Sequence, residues 1–360
     1  MKRLFPLLII VIAVAFIWVG CKGEGPEEDP VDRPVKNVVP AQLLSPFNED
    51  QFTIGQSIEV EIKINAAEGI KNLELYVDDT LYSTDLAVEN QTISIPTDSL
   101  SKVGWNKILL TYTDADGKAR SDYRKIVFFS NISPSELDAT IVNTYPHEKG
   151  SYTQGLEFYK GSLFEGTGQY ARSVLAEVDL TTGKQIRSQD LDASIFGEGI
   201  TILSDTIYQI TYKAQTCFIY DMDFNEIGQY QYDGQGWGLC NDRENLIMSN
   251  GDSEIVWRDP ETFKVVKTIQ IFDDQQSVGN LNELELIDGY LYMNIYQDTK
   301  IAKVDTATGK VLTYINCDKV VEDAREIGNY VLNGIAYNPA TGKTYITGKL
   351  WSKLYEVKFE

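Results

Sequence analysis

One glutamate of this sequence stands between two glycines, in the stretch FGEG from Phe196 to Gly199. Flanking glycines give the backbone unusual freedom and leave the side chain little cover, so we expect another molecule to approach the chain closely there. The carboxylate of Glu198 is therefore a candidate site residue. A tight turn that carries a solvated acid is the alternative interpretation.

Glu198 belongs to an internal repeat. Five similar segments recur at spacings of 44, 39, 45 and 51 residues: QGLEFY from Gln154, EGITIL from Glu198, WGLCND from Trp237, NELELI from Asn282 and NGIAYN from Asn333. A second marker, an aspartate before a turn, closes a later strand at Asp179, Asp221, Asp259 and Asp305. Repeats of about 40 to 50 residues with about four strands each are typical of β-propeller blades. The sequence therefore predicts an all-β chain with a five-bladed propeller over residues 136–360, and two unrelated β-domains are the alternative.

The fifth repeat ends after only three strands. The segment DATIVNTY, from Asp138 to Tyr145, precedes the first repeat and is well placed for the missing strand. We expect it to supply the missing outer strand of the last blade. The ring would then close without an exposed sheet edge.

The repeat also predicts which side chains meet. The innermost strand of each blade lines the central channel, so the five segment starts should surround one mouth of it. Fourteen residues after the first four starts stand Gly168, Tyr212, Gly251 and Tyr296, and the longer fifth repeat has Lys349. An antiparallel hairpin returns its second strand to the level where the first began. We therefore expect Tyr296 and Lys349 beside Glu198, in a pocket that suits a small polar ligand with an apolar stem.

Each member of this pocket also has a structural interpretation. Trp237 and Tyr296 are candidates for packing between blades, because aromatic residues commonly fill such contacts. Lys349 in TGKLW has the composition of a turn lysine, although its position at the end of a second strand sets it apart. The pKa of Glu198 would be raised by burial or lowered by Lys349, and the sequence leaves that balance open.

The N-terminus has the features of a secretory signal. Residues 1–20 contain a basic start and an apolar run from Leu4 to Val19, and small Gly20 precedes Cys21. The WVGC ending resembles a bacterial lipobox, which predicts lipidation of Cys21, and a retained signal anchor is the alternative. Residues 21–40 are rich in Gly, Pro and acid and are predicted to be a linker. We expect a lipid-anchored protein of the bacterial cell envelope, periplasmic or on the outer-membrane surface.

Residues 41–132 contain short strands and turns. SIEVEIKIN alternates from Ser57 to Asn65, and Asp116-Gly117 is a hairpin signal. About 90 residues of this kind predict an immunoglobulin-like β-sandwich that lacks the cysteine pair of antibody domains. We interpret it as a spacer or docking module.

Composition excludes several classes of function. The formal net charge of −21 disfavours binding to nucleic acid. Three further cysteines, Cys217, Cys240 and Cys317, have no C-x-x-C spacing, which argues against a zinc site and a disulfide framework. The single histidine, His147, is interpreted as a structural loop residue rather than a ligand. We predict no metal and no cofactor.

Six ordered motifs resemble one family. YTQGLEF, FGEGITIL, GWGL, LNELE, VLNGIA and TGKLWSKLYE are similar to the glutaminyl-peptide cyclotransferases of plant and bacterial type, over residues of about 140 to 360. The resemblance implies a five-bladed propeller that converts N-terminal glutamine to pyroglutamate, releases ammonia and needs no metal. The expected partners are peptides or proteins with N-terminal glutamine.

The resemblance also implies roles for residues. The family's catalytic glutamate falls on Glu198, with Lys349 holding an oxyanion or orienting the carboxylate. Its pocket glutamine, tryptophan and asparagine fall on Gln154, Trp237 and Asn282, and Asn333 is a further expected contact. A second pocket tryptophan of the family is replaced by Tyr296, which puts substrate preference in doubt.

Two other functions fit the same pattern. A non-catalytic lipoprotein propeller would hold a peptide or glycan in the same mouth. A calcium-dependent propeller hydrolase also places Glu and Asn at a channel mouth, although tight calcium sites usually contain more than one carboxylate. Sensitivity to a chelator separates that hydrolase from a cyclase.

Overall fold

A computed structural model describes residues 39–84, 86–99, 102–325 and 331–360 of the chain. The predicted signal peptide 1–20, the lipidation at Cys21 and all but the last two residues of the predicted linker lie outside the described residues. Within them the chain is all-β, with 28 strands, one α-helix, α1 (Asp318–Asp323), and a 3-10 turn (Thr97–Ser99). The described part contains no helix that is long and apolar enough to cross a membrane.

The first eight strands form two sheets. They are β1 (Ala41–Ser45), β2 (Gln51–Thr53), β3 (Ser57–Ile64), β4 (Lys71–Val77), β5 (Thr80–Ser83), β6 (Gln91–Pro96), β7 (Gly104–Thr113) and β8 (Ala119–Phe129). One sheet has the order β1-β3-β6 and the other β2-β8-β7-β4-β5. The predicted alternation in β3 is confirmed, because Ile58, Val60 and Ile62 are buried while their neighbours are exposed. The predicted hairpin turn joins β7 to β8.

Apolar side chains of both sheets form one core, which includes Ile58 and Leu75. This core also takes in Phe272 from the later part of the chain. The backbone N–H of Trp105 donates to Gln270 Oε1 at 2.8 Å, and that of Ser130 donates to the carbonyl of Asp273 at 3.0 Å. The two early sheets are therefore packed against the following strands rather than separated from them.

The remaining strands are built as repeated antiparallel units. Three four-stranded sheets comprise β10 (Thr153–Tyr159), β11 (Ser162–Thr167), β12 (Val174–Val178) and β13 (Gln185–Asp190); β14 (Gly197–Leu203), β15 (Thr206–Thr211), β16 (Thr216–Tyr220) and β17 (Glu226–Gln231); and β18 (Leu239–Asn241), β19 (Leu246–Ser249), β20 (Glu254–Arg258) and β21 (Val265–Gln270). An eight-stranded sheet comprises β22 (Leu281–Ile287), β23 (Tyr290–Ile295), β24 (Lys300–Asp305), β25 (Val311–Asn316), β9 (Ser135–Pro146), β28 (Lys353–Phe359), β27 (Lys343–Gly348) and β26 (Leu332–Asn338). Each of the five units begins with one of the five repeated segments.

Strand β9 joins the last two units. Its beginning, Ser135–Asp138, pairs in parallel with β25, and its remainder, Ala139–Pro146, pairs antiparallel with β28. The predicted pairing of Asp138–Tyr145 with the last repeat is confirmed. The pairing with β25 was not predicted, and it makes one strand the outer edge of two units.

The first strands of the units form a closed circuit of contacts. β10 packs against β14, β14 against β18, β18 against β22, β22 against β26, and β26 returns to β10. Every residue of β14 is buried, as are six of the seven residues of β10. The N-terminal ends of these strands therefore converge, and the candidate site lies at those ends.

Candidate functional site

The predicted site residues lie where the first strands depart from regular geometry. The pairing register shifts between Thr153 and Gly155, between Gly197 and Ile200, between Leu281 and Leu284, and between Leu332 and Ile335. Gln154, Glu198, Asn282 and Asn333 stand within these four bulges. A bulge changes the direction of a side chain that the regular strand would point elsewhere. In the third unit Trp237 comes just before β18, so all five repeat starts lie at irregular backbone.

The glycines after these positions serve packing between neighbouring units. A Cβ atom on Gly155 would lie 2.4 Å from the backbone N of Ile200, and one on Gly199 would lie 2.4 Å from the N of Leu239. On the other side of Glu198, a Cβ on Gly197 would lie 2.7 Å from the carbonyl of Thr167. The prediction that the glycines of FGEG make room for another molecule is therefore wrong. They make room for adjacent backbone.

The converging strand ends enclose a cavity of about 180 Å³. Nine side chains of the described part of the chain line it: Tyr152, Gln154, Phe196, Glu198, Tyr212, Trp237, Asn282, Tyr296 and Lys349. Six of the seven predicted pocket residues are among them. The structure therefore brings the carboxylate, the ammonium group, two amides and two of the aromatic rings into one place.

Three aromatic lining residues were not predicted as contacts. Tyr212 stands at the position 14 residues after Glu198, like Tyr296 after Asn282. Tyr152 and Phe196 each precede a repeat start by two residues, and side chains two apart in an extended segment share a face. That spacing is the signal by which the sequence would have identified both.

Two glycines at the same register make space for aromatic rings. A Cβ on Gly168 would lie 2.3 Å from the ring of Phe196, and one on Gly251 would lie 2.6 Å from the ring of Trp237. The residue 14 positions after each of the first four repeat starts therefore either lines the cavity itself or, where it is glycine, leaves space for an aromatic ring that does.

Lys349 is buried beside Gln154. Only 2% of the residue is exposed, and its Nζ donates a hydrogen bond of 2.5 Å to Gln154 Oε1. The Nζ atom also lies 4.8 Å from the ring centroid of Tyr152 and 5.2 Å from that of Tyr296. Both distances are within the range of cation–π attraction. The ammonium group is thus held at the cavity wall by one amide and two aromatic faces.

Asn333 differs from the other repeat starts, because it does not line the cavity. Its Nδ2 donates to Gln154 Oε1 at 3.1 Å and to the carbonyl of Thr153 at 2.9 Å. Since Lys349 and Asn333 both donate to Oε1, the amide Nε2 of Gln154 remains a donor for another partner. Asn333 therefore supports Gln154 from behind.

Glu198 and Lys349 influence each other's ionisation. Glu198 is 4% exposed, and burial raises the pKa of its carboxyl well above the ordinary value, while the charge of Lys349 opposes that rise. Burial lowers the pKa of Lys349 to about 8, while Glu198 opposes that fall. In the part of the chain that the structure describes, the Glu198 carboxylate accepts no hydrogen bond. It is a proton acceptor with a free face toward the cavity.

Aromatic contacts fix the cavity walls. The rings of Trp237 and Tyr296 meet edge to face, with centroids 5.5 Å apart and planes at 82°. Phe196 contacts Tyr152 at 6.1 Å and Tyr212 at 5.8 Å. Asn282 adds a polar group, since its Oδ1 is buried and has no hydrogen-bond partner among the described residues. The cavity thus offers amide and charged groups within an aromatic enclosure.

The remaining candidates lie elsewhere. His147 is buried outside the cavity, and Cys217, Cys240 and Cys317 are buried and free. In residues 39–84, 86–99, 102–325 and 331–360, no group of three or more His, Cys, Asp or Glu side chains is placed to hold a metal ion.

Comparison with known proteins gives three findings. A model of the family described as glutamine cyclotransferase matches residues 111–359. The chain is 35% identical to the glutaminyl-peptide cyclotransferase of Arabidopsis thaliana over 227 residues, which are 61% of this chain and 71% of that protein. Its fold is similar to the crystal structure of Myxococcus xanthus glutaminyl cyclase, with a TM-score of 0.60 and 32% identity over 63% of this chain and 99% of the other.

Proposed function

The chain belongs to the glutamine cyclotransferase family, it cyclises N-terminal glutamine, and we propose that Glu198 carries the proton in that reaction. The single observation that supports this role is the position of Glu198. Among the described residues that line the cavity it is the one carboxylate, and it lies near Lys349. A raised pKa matches a group that must both take and give a proton near neutral pH.

The reaction joins two atoms of the same residue. The lone pair of the substrate's α-amine attacks its own γ-amide carbon, and a C–N bond forms as the carbonyl electrons move to oxygen. The Glu198 carboxylate takes one proton from the attacking nitrogen. The acid so formed gives that proton to the amide nitrogen, the second C–N bond breaks, and ammonia leaves as the carbonyl of pyroglutamate re-forms. No proton is gained or lost overall.

Lys349 and Gln154 serve this cycle from one side of the cavity. The ammonium group of Lys349 favours the ionised form of Glu198 and stabilises negative charge on the substrate oxygen. Gln154, held at its oxygen by Lys349 and Asn333, presents its Nε2 donor to the substrate. Asn333 acts as a positioning residue for Gln154.

The opposite walls hold the substrate in shape. Trp237 and Tyr296 cover the apolar stem of the glutamine side chain, and Asn282 Oδ1 accepts a hydrogen bond from its amine or amide. Holding the amine near the γ-amide carbon converts an open chain into a near-attack conformer. A cavity of about 180 Å³ accommodates one glutamine residue and little more.

The test is ammonia release from Gln-Gly-amide by the full chain, with Glu198→Gln as the matched variant. We expect release by the wild type that survives a chelator and is lost in the variant. Release that a chelator abolishes would instead favour the calcium-dependent hydrolase. Silence in both folded proteins would favour a binding module for a peptide or glycan.

We also propose the finer architecture. The five units, with their circuit of first strands and a shared outer strand β9, are consistent with five blades of a propeller over residues 136–360. The two early sheets, which pack around one core, are consistent with an immunoglobulin-like sandwich over residues 41–132. A crystal structure would test both assignments, and four or six units around the axis would contradict the first.

We propose that the chain is a lipid-anchored protein of the bacterial cell envelope. The support is the sequence alone: an apolar run over Leu4–Val19 followed by Gly20 and Cys21. Incorporation of labelled palmitate that Cys21→Ser abolishes is the expected result. Incorporation that persists in the variant would contradict the assignment.

A further inference from the structure

An exposed aromatic ring continues the cavity wall outward. Tyr170 is 56% exposed and does not line the cavity, but its ring meets that of Phe196 edge to face at 5.4 Å. Phe196 in turn contacts Tyr212, over whose ring the Nζ of Lys213 lies at 4.8 Å. We define Tyr170, Phe196 and Tyr212 as the aromatic rim. It is a continuous apolar surface from the cavity to solvent.

The loop that carries Tyr170 is held in an unusual conformation. The residues on both sides, Gln169 and Ala171, have positive φ values of 88° and 60°. Positive φ values are energetically unfavourable for non-glycine residues, and such values persist where the surrounding structure imposes them. Here the N–H of Ala171 donates to the carbonyl of Ala193 at 3.0 Å, which ties the loop to the segment before Glu198. Tyr170 is thus presented toward solvent by a fixed backbone rather than by a free loop.

We propose that the aromatic rim binds the side chain of the second residue of the substrate and selects peptides in which that residue is apolar or aromatic. This inference rests on the proposed function. When glutamine fills the cavity, the next Cα atom lies about 3.8 Å beyond the glutamine Cα, outside the mouth. Among the described residues no exposed aromatic ring contacts Trp237 or Tyr296, so the aromatic rim is the described aromatic surface that continues the cavity toward that second side chain.

The experiment compares kcat/KM for Gln-Phe-amide, Gln-Gly-amide and Gln-Glu-amide. An aromatic contact contributes about 0.5–1.5 kcal/mol, so we expect Gln-Phe-amide to exceed Gln-Gly-amide by about 2- to 13-fold. Tyr170→Ala should bring the two values together, and Tyr170→Phe should keep them apart. Tyr123→Ala is the control, because Tyr123 is 58% exposed on β8 and should change neither value.

Four outcomes would overturn the inference. A Gln-Phe-amide to Gln-Gly-amide ratio of kcat/KM near one in the wild type, or a higher ratio that persists in Tyr170→Ala, would exclude the apolar subsite. Cyclisation of Gln-Gly-amide would still support the proposed function in that case. A preference for Gln-Glu-amide that Lys213→Ala abolishes would assign the rim to charge recognition. Failure of the wild type on all three peptides would instead refute the proposed function and the subsite with it.

A second inference concerns the single histidine. His147 Nδ1 lies 2.8 Å from the carbonyl oxygen of Trp351, and Nε2 lies 3.1 Å from Glu165 Oε1. The hydroxyl of Thr347, 3.5 Å from Nδ1, donates to the carbonyl of Lys353 and so offers only an oxygen to the ring. Both ring nitrogens face acceptors, which is the environment of a doubly protonated imidazolium.

Glu165 has the complementary surroundings. Besides His147, it accepts hydrogen bonds from Thr153 Oγ1 at 2.7 Å and Ser151 Oγ at 3.1 Å. Both side chains of the His147–Glu165 pair are nearly inaccessible, at 2% and 1%. Burial alone would lower the pKa of His147, but Glu165, the Trp351 carbonyl and the nearby Glu148 together raise it. The same attraction lowers the pKa of Glu165 against the effect of burial.

The pair touches both segments that carry the polar wall of the cavity. Thr153, which donates a hydrogen bond to Glu165, is directly followed by Gln154. Trp351, whose carbonyl oxygen faces His147 Nδ1, comes two residues after Lys349. We infer that His147, held between two acceptors, is a positioning residue that keeps the Lys349 turn in register with Gln154. The catalytic groups themselves remain Glu198 and Lys349.

The single histidine makes this testable by ¹⁵N NMR with labelled histidine, because one residue gives all the signal. We expect both ring nitrogens to stay protonated to a pH above the ordinary pKa of about 6.5. Glu165→Gln should bring the pKa of the ring below about 6.5, because burial then acts without the opposing charge of the carboxylate. A wild-type ring that titrates near that value, or a neutral tautomer throughout, would overturn the inference.

Kinetics supply the second readout. In folded His147→Gln, kcat for Gln-Gly-amide should fall about 10- to 100-fold with KM within about threefold, because a misplacement near 1 Å is costly to a reacting geometry. A variant that merely lost stability would lose active sites at high temperature and regain wild-type kcat at low temperature. That recovery would contradict a positioning role.

Discussion

Four glutamates lie on the first strands, three of them buried and Glu285 partly buried, and the two ends of these strands use them differently. At the cavity end, Glu198 accepts no hydrogen bond among the described residues and faces Lys349. Further along, Glu283 accepts from the backbone N–H of Leu156 at 3.3 Å and of Ile335 at 2.7 Å. Glu157 accepts from Ile202 N at 3.0 Å, and Glu285 from Tyr337 N at 3.0 Å.

The difference is one of partners rather than of burial. Burial raises the pKa of all four carboxyls, that of Glu157 to about 8. Three of them join neighbouring first strands through backbone amides, so their oxygens are occupied. Glu198 alone has its oxygens directed to a cavity and a cation nearby. Burial therefore raises the pKa of each carboxyl. Of the four, only Glu198 lacks a backbone N–H partner in the described part of the chain, which leaves its oxygens available for a reaction.

The largest expected effect is on turnover. Glu198→Gln should lower kcat by about 10²- to 10⁴-fold, since it removes the group that transfers the proton. Glu157→Gln, at the other end of the strands, should stay near wild-type kcat. Ammonia release by both variants, after circular dichroism confirms the fold, decides the matter. Equal losses in the two would erase the contrast between the strand ends.

The second effect is on stability. Glu283→Leu leaves two buried N–H groups on two strands without an acceptor, at about 1–3 kcal/mol each. We expect the free energy of unfolding to fall by about 2–4 kcal/mol in denaturant titration. Glu285→Leu removes one bond and should cost about half as much. An unchanged midpoint for Glu283→Leu would show that water replaces the carboxylate.

The third effect is on the pH dependence of turnover, which concerns the cavity end of the strands. Lys349, whose pKa is lowered to about 8, must be charged to keep Glu198 ionised. We therefore expect kcat to decline above about pH 8, by about tenfold per unit at the limit. Lys349→Arg keeps its charge and should move that decline to higher pH. A decline at the same pH in both proteins would assign it to another group.

The smallest effect is on the pH dependence of stability. The pKa values of Glu157, Glu283 and Glu285 are raised on folding, so the folded chain holds protons that the unfolded chain releases above about pH 4.5. Stability should therefore be highest near pH 5 and fall as the pH rises toward 8. Thermal unfolding at a series of pH values measures this. In Glu157→Gln the slope should be shallower, whereas an identical slope would exclude Glu157 as its source.

The repeat of the sequence predicted much of the fold because every unit meets the same constraint. Each first strand must pass its neighbour closely, so small and polar residues recur at its start, and their spacing locates the cavity. The same regularity predicted that Lys349 and Tyr296 return to the level of Glu198. It failed at the glycines of FGEG, since the backbone they accommodate belongs to another unit and is remote in sequence.

Other features depend on contacts that no local pattern encodes. In the sequence, Glu283 and Glu285 look like ordinary polar residues of a strand. The backbone amides that donate to them are identified only by the circuit of strands. The four bulges are also invisible in the sequence, yet they decide that Asn282 faces the cavity while Glu283 faces the strands. His147 was identified as structural, but its pairing with Glu165 and its link to Lys349 required the folded chain.

The position of β9 has a consequence for synthesis. A ribosome makes this strand early, whereas its partners β25 and β28 come near the end; Asn143 and Glu356, which are hydrogen-bonded, are 213 residues apart. Until the last residues emerge, β9 is an unpaired strand edge on a nascent chain, which is a state prone to wrong pairing. A ribosome that stops a few codons early therefore leaves a chain that has all its cavity residues but lacks part of the partner strand of β9.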